Sequence, residues 1–353
     1  MARWTIKNVR FAGVAACVPK EVVKTADFHF FTNEEAAVFD NTVGIRKRHL
    51  GPDTLCASDM CQVAAEKLLA ELGWEKESVD MLLFETVTPD YSPTPPTSCI
   101  LQERLELSQD CFCIDIPMGC CGCMYAINVA GNMLSSGSIH RALLLVGDTA
   151  ARMGSKNDKS RLPLFGDAGC AMALEYDTTA EDIVIDFHTL GGGYEALMTP
   201  HGGFRHPITV ESFIQEDFGN GIIRAPKDTL IKGMDVFSFA ISRPPKTVDA
   251  FLNEYGINRE QDIDYFLIHQ ANKMIVDRIV KKLQLPLVKV PYNLEEFGNT
   301  GGCSIPLLMV TRIAEDLHSK PQNLICSSFG LGLTWGTMWL KTNQVKVCDL
   351  ITI

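Results

Sequence analysis

Short apolar runs alternate with longer amphipathic segments along most of the chain. In the first half, four apolar runs predict buried strands at 10–19, 79–87, 111–119 and 141–149. Apolar residues at helical spacing predict helices over 57–73 and 121–137. The second half repeats the scheme, with strands at 263–271, 323–332 and 334–342 and helices at 246–256 and 272–285. This alternation predicts an α/β fold whose sheets are covered by helices on both faces.

Two stretches, 64–87 and 246–271, look like copies of each other. In each, an amphipathic helix closes at a glycine, a short charged loop follows, and an aspartate introduces an apolar strand; the paired residues are Gly73 with Gly256 and Asp80 with Asp264. A duplicated domain explains the repeat, and a generic α/β unit explains it equally well. Duplication predicts two halves, residues 1–180 and 181–353. The segment 189–233 has no regular pattern and is predicted to form loops around the site.

Charge and composition narrow the class of protein. The 353 residues include 43 acidic and 32 basic side chains, a net charge of −11, which disfavours general nucleic-acid binding. No run approaches the ~18 apolar residues of a membrane span, and Arg10 interrupts the N-terminal apolar stretch, so we expect a cytoplasmic protein. In that compartment the thirteen cysteines stay reduced, and their clustering suggests catalysis or metal binding.

Cys120 lies where a predicted strand passes through a glycine-flanked turn into a helix. The positive end of a helix dipole favours a thiolate, so the pattern predicts a lowered pKa and a nucleophile. A second interpretation treats the local cysteines as small buried hydrophobic residues. A third is a zinc or redox site, because Cys120 and Cys123 have CxxC spacing. Cys56 and Cys61 do not supply the second ligand pair that a closed zinc site needs, so no metal is expected.

Three other places carry candidate chemistry. His269 ends an apolar strand just before a helix, where α/β folds build their sites, although a lone histidine there is more often structural. Asn299 stands in a GNTGG turn and can donate a hydrogen bond to an oxyanion without titrating. The glycines of 327–336 allow backbone N–H groups to face a cavity. Alone, each of the last two is an ordinary turn.

Together these segments resemble, in order and spacing, the signatures of the ketoacyl-ACP synthase III family. The matching segments are DIPMGCCGCMYAI at 115–127, IHQAN at 268–272, GNTGGCSIP at 298–306 and FGLGLTWG at 329–336. GIRKRH at 44–49, PPTSCILQ at 95–102 and FGDAGCAMAL at 165–174 extend the match over essentially the whole chain. The resemblance implies a duplicated thiolase fold of five αβαβα layers, usually homodimeric, that acts on acyl-CoA and acyl carrier protein substrates without a cofactor.

The resemblance also implies a role for each matching residue. Cys120 takes an acyl group from a thioester. His269 and Asn299 then stabilise the enolate that forms when malonyl-ACP loses carbon dioxide, and the carbanion attacks the acyl group. The backbone N–H groups of Cys120 and Leu331 form the oxyanion hole, and Phe329 shields the cysteine. The acyl carrier protein docks on a basic helix surface formed by Lys273, Arg278, Lys281 and Lys282; a solvated helix face is the other interpretation of those charges.

The chain departs from the housekeeping pattern at several positions. Val38 and Thr42 match the tryptophan and arginine that grip the adenine of coenzyme A, and Pro95 matches a phenylalanine that limits the acyl pocket. Cys121 and Cys123 replace the small residues that usually follow the nucleophile. These departures predict a specialised relative with a different acyl group, and a carrier protein is an alternative donor to coenzyme A.

Other functions remain open at this stage. Transfer of the acyl group to an alcohol or amine, without decarboxylation, is the second enzymatic interpretation, with His269 as general base. A hydroxymethylglutaryl-CoA synthase needs a glutamate that TVTPDY, at 86–91, does not provide. A plant-type polyketide synthase has a Gly-Pro-Gly signature where this chain has FGLGLTWG. A catalytically silent subunit would not need Cys120, His269 and Asn299.

Overall fold

The computed structural model describes residues 2–353. Its strands, numbered in chain order, are β1 (Ala2–Ile6), β2 (Val9–Val18), β3 (Val22–Lys24), β4 (Lys47–His49), β5 (Met81–Glu85), β6 (Phe112–Ile116), β7 (Arg141–Asp148), β8 (Ala168–Tyr176), β9 (Ile183–Thr189), β10 (Leu197–Met198), β11 (Glu216–Asp217), β12 (Ile223–Arg224), β13 (Leu230–Ile231), β14 (Tyr265–Ile268), β15 (Gln322–Gly330), β16 (Thr334–Thr342), β17 (Lys346–Val347) and β18 (Ile351–Thr352). Its helices are α1 (Asn33–Val43), α2 (Ala57–Leu72), α3 (Thr97–Arg104), α4 (Gly122–Leu134), α5 (Gly233–Glu254), α6 (Lys273–Leu283), α7 (Leu294–Phe297), α8 (Ser304–Arg312) and α9 (Ala314–Ser319).

Two mixed sheets form the framework. The first is seven-stranded in the order β17-β2-β8-β7-β5-β6, with β18 also paired to β2. The second is five-stranded in the order β1-β9-β16-β15-β14. The chain termini cross between the sheets, because β1 joins the second sheet while β17 and β18 join the first.

Three apolar layers separate the elements. The central core packs α4 and α8 between the inner faces of both sheets, for example through Met124, Leu307 and Met338. A second core lies between α2 and the outer face of the first sheet. A third covers the outer face of the second sheet with α5 and α6. The layers therefore alternate as helix, sheet, helix, sheet, helix, which confirms the expected five-layered α/β arrangement.

The repeat seen in the sequence has a structural counterpart. Gly73 and Gly256, which follow α2 and α5, both adopt the left-handed conformation with φ 64°, where a glycine carries no Cβ penalty. Farther along each half, Gly119 and Gly301 both have φ 59° and both open a single 3₁₀ turn that leads into a central helix. The glycines that follow α2 and α5, and the turns that lead into α4 and α8, thus occur in matching pairs.

Helix α5 is longer than its apolar pattern predicts. The expected helix starts at Lys246, yet α5 begins at Gly233 and runs through Pro244 and Pro245. A proline inside a helix leaves the carbonyl four residues earlier without its N–H partner. Here Lys282 Nζ donates to the carbonyl of Ile241 at 3.1 Å, which replaces the bond that Pro245 cannot make.

Residues 190–232 form a largely irregular segment, as expected from the sequence. They contain only two-residue strand pairs, β10 with β13 and β11 with β12, together with short 3₁₀ turns. Several large apolar side chains of this segment are exposed, with Phe204 90% and Val210 82% accessible.

Candidate active site

Cys120 lies in the middle of the 3₁₀ turn Gly119–Cys121, between β6 and the first residue of α4. Its side chain is partly buried, whereas the neighbouring Cys121 and Cys123 are fully buried. Cys121 contacts the carbonyl oxygen of Thr334 at 3.5 Å through its Sγ atom. Of these three thiols, only Cys120 therefore retains access to a substrate.

Two backbone donors lie next to the Cys120 thiol. The N–H groups of Leu331 and of Cys120 itself both favour a negative charge on the sulfur. These are the two donors expected for the oxyanion hole. Leu331 occupies its place because β15 ends at Gly330, and the chain turns there into β16.

The predicted lowering of the Cys120 pKa is wrong in direction. Burial raises the pKa of the thiol to about 12, with a further increase from the nearby carboxylate of Asp148. The backbone donors oppose this shift without overcoming it. The sequence pattern placed the thiol correctly at a helix start but gave no sign of how little water reaches it, and desolvation outweighs the dipole here.

His269 follows β14 and is 1% exposed. Its backbone N–H donates to the carbonyl of Ser327 at 2.9 Å. Its imidazole ring packs edge to face against the Phe329 ring, with 5.3 Å between the ring centres. Its Nδ1 atom has no hydrogen-bond partner among residues 2–353. Burial lowers the pKa of His269 to about 3, so the imidazole is neutral at physiological pH.

Gln270 connects the histidine strand to the asparagine segment. Its N–H donates to Ser304 Oγ at 2.6 Å, and its Oε1 accepts from the N–H of Asn293 at 3.2 Å. Ser304 is the first residue of α8, directly after the turn that Asn299 opens. These bonds hold the end of β14 against the start of α8.

Asn299 is held by its own backbone and by a local side-chain bond. Its N–H donates to the carbonyl of Leu164 at 2.9 Å, and its carbonyl accepts from the N–H of Gly166 at 3.1 Å. Its Oδ1 accepts from the N–H of Gly301 at 3.0 Å. The amide Nδ2 forms no hydrogen bond to residues 2–353, which leaves it available to donate to an oxyanion.

The turns carrying Cys120 and Asn299 touch each other. A β-carbon built on Gly302 would lie 3.0 Å from the carbonyl oxygen of Gly119. On the other side of Cys120, the same construction on Gly330 would meet the cysteine Sγ at 2.8 Å, and Gly330 directly follows Phe329. The structure therefore brings Cys120, His269, Asn299, Leu331 and Phe329 together.

Glu85 is a buried acid at this site that the sequence analysis passed over. It ends β5, is 0% exposed, and lies five residues after Asp80, just as His269 lies five residues after Asp264. The repeat itself was therefore the available signal. Asp148, at the end of β7, is also buried and accepts hydrogen bonds from the N–H of Val87 at 2.9 Å and from Thr86 Oγ1 at 3.1 Å.

The four basic residues expected to dock a carrier protein all lie exposed on α6. Lys273 pairs with Asp277, and Lys282 binds the carbonyl of Ile241. Arg278 and Lys281 form no ion pair within residues 2–353. The structure places these four residues on the exposed surface of one helix.

Three of the positions that depart from the housekeeping pattern, Val38, Thr42 and Pro95, are exposed. Val38, on α1, is 61% accessible, and Thr42 Oγ1 donates to the Val38 carbonyl at 2.7 Å. Pro95 lies in the loop before α3. On the same helix as Val38, Glu35 pairs with Lys159, whose Nζ atom lies 5.0 Å from the centre of the Phe31 ring.

Residues 2–353 offer neither a metal cluster nor a membrane-spanning helix. Across that range, no three His, Cys, Asp or Glu side chains converge as ligands for one metal ion. Within the same residues, no helix combines the length and apolar character needed to cross a membrane.

Comparison with known proteins identifies the family. Family models described as 3-oxoacyl-[acyl-carrier-protein] synthase III and as its C-terminal part match residues 114–191 and 252–342. Proteins named beta-ketoacyl-[acyl-carrier-protein] synthase III from Xanthomonas euvesicatoria and Streptococcus pneumoniae are each 30% identical, over 94% of this chain and 98% of theirs. A solved 3-oxoacyl-(acyl-carrier protein) synthase from Burkholderia xenovorans superposes with a TM-score of 0.93 at 33% identity, covering 100% of this chain and 99% of that one. The chain therefore belongs to the 3-oxoacyl-[acyl-carrier-protein] synthase III family of condensing acyltransferases with the thiolase fold.

Proposed function

We propose that this enzyme transfers an acyl group from a thioester to Cys120 and then condenses it with a malonyl carrier protein. The observation that carries this proposal is the position of the Cys120 sulfur beside two backbone donors, the N–H groups of Leu331 and Cys120. Such donors stabilise the oxyanion of a tetrahedral intermediate, which is the species common to both half-reactions.

In the first half-reaction, Cys120 Sγ attacks the thioester carbonyl while its oxygen occupies the oxyanion hole. The tetrahedral intermediate collapses, the donor thiol leaves, and the proton of the cysteine goes to that leaving thiolate. Since the pKa of Cys120 is about 12, the resting thiol is protonated, and its deprotonation accompanies attack. The product is an acyl-cysteine.

In the second half-reaction, the malonyl thioester loses carbon dioxide. The resulting enolate oxygen receives hydrogen bonds from the neutral imidazole of His269 and the amide of Asn299. Its carbon attacks the acyl-cysteine carbonyl, and the Cys120 thiolate leaves and is reprotonated. Phe329 packs against the His269 ring, where it would exclude water and favour loss of the uncharged carbon dioxide.

The competing function is transfer of the acyl group to an alcohol or amine. That reaction needs a base to remove the acceptor proton, and His269 is the candidate. With a pKa of about 3, His269 is a weak base at neutral pH but remains a competent N–H donor. Its environment therefore favours decarboxylative condensation over simple transfer.

Surface chemistry supports the acyl donor and the carrier that we propose. The exposed cations of α6, Lys273, Arg278, Lys281 and Lys282, fit an acidic acyl carrier protein. Val38 and Thr42 offer neither an aromatic ring nor a cation to the adenine of coenzyme A, which supports a carrier-bound acyl donor over acyl-CoA. Pro95 stands where related enzymes have a phenylalanine that limits the acyl pocket, which supports an acyl group larger than acetate. The reaction uses no cofactor beyond these thioesters.

A cytoplasmic homodimer is the proposed working form. Strand β6 is the outermost strand of the seven-stranded sheet, so one of its edges carries unpaired backbone groups. Pairing β6 with the same strand of a second copy would satisfy them.

We also propose that the chain consists of two halves, residues 1–180 and 181–353, that arose by duplication. The N-terminal strand β1 lies in the sheet of the second half, and the C-terminal strands β17 and β18 lie in the sheet of the first half.

The test is the intact mass of the protein after incubation with acyl-CoAs and acyl carrier proteins, followed by malonyl carrier protein. We expect one acyl increment that is absent in Cys120→Ala and disappears on malonyl addition, with release of carbon dioxide and a ketoacyl product. An increment that ignores malonyl and discharges onto an alcohol or amine would establish the competing function. No increment with any donor would refute the nucleophile assignment.

A further inference from the structure

Glu85 occupies the space between the turn of Cys120 and the turn of Asn299. A β-carbon on Gly122 would lie 1.8 Å from Glu85 Cδ, and one on Gly302 would lie 2.4 Å from Glu85 Oε2. Gly122 is the first residue of α4, and Gly302 lies in the turn that leads to α8. Both glycines are needed because the carboxyl group of Glu85 fills the place where their side chains would be.

Among residues 2–353, no basic side chain contributes to the pKa shift of this carboxyl group. The titratable groups that act on Glu85, or on which it acts, are one carboxyl and four thiols: Asp148, Cys120, Cys121, Cys123 and Cys303. Neither oxygen of Glu85 forms a hydrogen bond of regular geometry within residues 2–353. A charged carboxylate without a counter-ion is very costly in a buried site, whereas a neutral carboxylic acid is tolerated.

We propose that Glu85 is a positioning residue that, as an uncharged carboxylic acid, spaces the Cys120 and Asn299 turns and keeps a second negative charge away from the nucleophile. This inference rests on the proposed function, because it takes Cys120 as the nucleophile. Glu85 holds in the first half of the repeat the position that His269 holds in the second. Each half thus places one buried polar side chain at the end of an equivalent strand.

The division of charge between the two buried acids follows from their hydrogen bonds. Asp148 accepts from Val87, Thr86 and Thr88 and from the N–H of Gly302; burial raises its pKa to about 6. Burial, and then Asp148, hold the pKa of Glu85 well above its usual range, although the N–H groups of Gly119 and Met118 partly oppose this. Near neutral pH, Asp148 therefore carries the single negative charge, and Glu85 keeps the proton.

The test compares wild type, Glu85→Gln and Glu85→Ala by the rate at which iodoacetamide modifies Cys120, mapped by peptide mass. Glutamine has about the volume of a glutamic acid side chain and is uncharged, so at pH 7 Cys120 of Glu85→Gln should be alkylated at the wild-type rate within about threefold. If Glu85 were ionised in the wild type, the glutamine variant would instead be alkylated ~10-fold faster or more. Glu85→Ala removes the spacer, and its rate of acylation by a thioester donor should fall at least ~10-fold, since small displacements of reacting groups are costly.

Infrared difference spectra between wild type and Glu85→Gln provide a measurement that needs no activity. A protonated-carboxyl band should be present in wild type at pH 8, where Asp148 is ionised. The alkylation rates of the two proteins should diverge, in favour of glutamine, only at pH values where this band is lost. This pH dependence would not arise if Glu85 merely filled space.

Three outcomes would overturn the inference: an absent band at pH 8, a rate difference at pH 7 well beyond threefold, or an alanine variant as active as the glutamine variant. A wild-type enzyme that no thioester acylates would instead refute the proposed function, and the infrared result would still report the protonation of Glu85.

Discussion

Gly330 and Cys120 approach each other so closely that a β-carbon on Gly330 would lie 2.7 Å from Cys120 Cβ and 2.8 Å from its Sγ. Gly330 ends β15, and Leu331, which follows it, supplies an N–H to the thiol. The same short segment therefore shapes the space for the sulfur and supplies one of its two donors. A side chain at position 330 has no room unless Cys120 moves.

We predict that Gly330→Ala lowers the rate of Cys120 acylation by at least ~10²-fold, because a displaced sulfur loses contact with its backbone donors, each worth ~2.7–4 kcal/mol in comparable sites. The rate is measured by intact mass against time at saturating donor. Gly203→Ala is the matched control, because a β-carbon there meets nothing within 4 Å. Equal rates in the two variants would contradict the assigned geometry.

Asn299 should matter to one half-reaction only. Asn299→Ala removes an uncharged donor from the enolate, so we expect condensation to fall ~10²–10³-fold while acylation stays within about threefold. The two steps are separated by loading Cys120 first and then adding malonyl carrier protein. Asn132→Ala, on exposed α4 surface, controls for loss of an asparagine side chain. An equal loss in both steps would mean that Asn299 acts on the nucleophile instead.

Sequence reasoning predicted the framework well because burial leaves a periodic pattern. The strand expected at 141–149 is β7 (Arg141–Asp148), and the helix expected at 57–73 is α2 (Ala57–Leu72). Cys120, His269 and Asn299 each stand where an element ends, and the ends of neighbouring elements meet in this fold. Their convergence was implied by the resemblance of their segments, in order and spacing, to the family's signatures.

What the sequence could not provide depends on surroundings contributed by distant segments. The pKa of Cys120 rises because several elements exclude water from it, and no local pattern records that exclusion. The repeat marks the position of Glu85 at the end of DMLLFE, but the burial of its carboxyl group arises from contact with Gly122 and Gly302, in other segments of the chain. Helix α5 continues through Pro244 and Pro245. Lys282 of α6 donates a hydrogen bond to the Ile241 carbonyl of α5, which Pro245 leaves without an N–H partner.

His269 should remain uncharged well below neutral pH. Its pKa of about 3 lies below the ordinary value of 6.5, so the folded state favours the neutral ring. At pH 5, about 1% of the side chain would carry a proton, compared with most of an exposed histidine. Nitrogen-15 NMR of labelled histidine should show a neutral imidazole from pH 5 to 8, with His269→Asn identifying the resonance. A titration centred near pH 6.5 would show that water reaches the ring.

The folding free energy should respond to the same depressed pKa. Between the folded pKa of about 3 and the unfolded value of 6.5, the unfolded chain binds the extra proton, so stability falls as the pH is lowered through this window. Denaturant unfolding at pH 7 and pH 5 should show a smaller loss in His269→Asn than in wild type. An identical loss in both proteins would assign the acid sensitivity to other groups.

Charge reversal on α6 should weaken capture of the carrier protein without harming the chemistry. Arg278 and Lys281 are exposed and form no ion pair within residues 2–353, so Arg278→Glu with Lys281→Glu should not disturb the fold. We expect KM for a carrier-bound substrate to rise ~10-fold at low salt, with the difference shrinking as salt screens the charges, while kcat stays within about twofold. Lys7→Glu with Lys20→Glu is the matched control, because these two exposed lysines lie outside α6, form no ion pair within residues 2–353 and change the net charge by the same amount. If the α6 double variant and this control gave the same KM, the carrier protein would have to dock elsewhere, and α6 would be a solvated face.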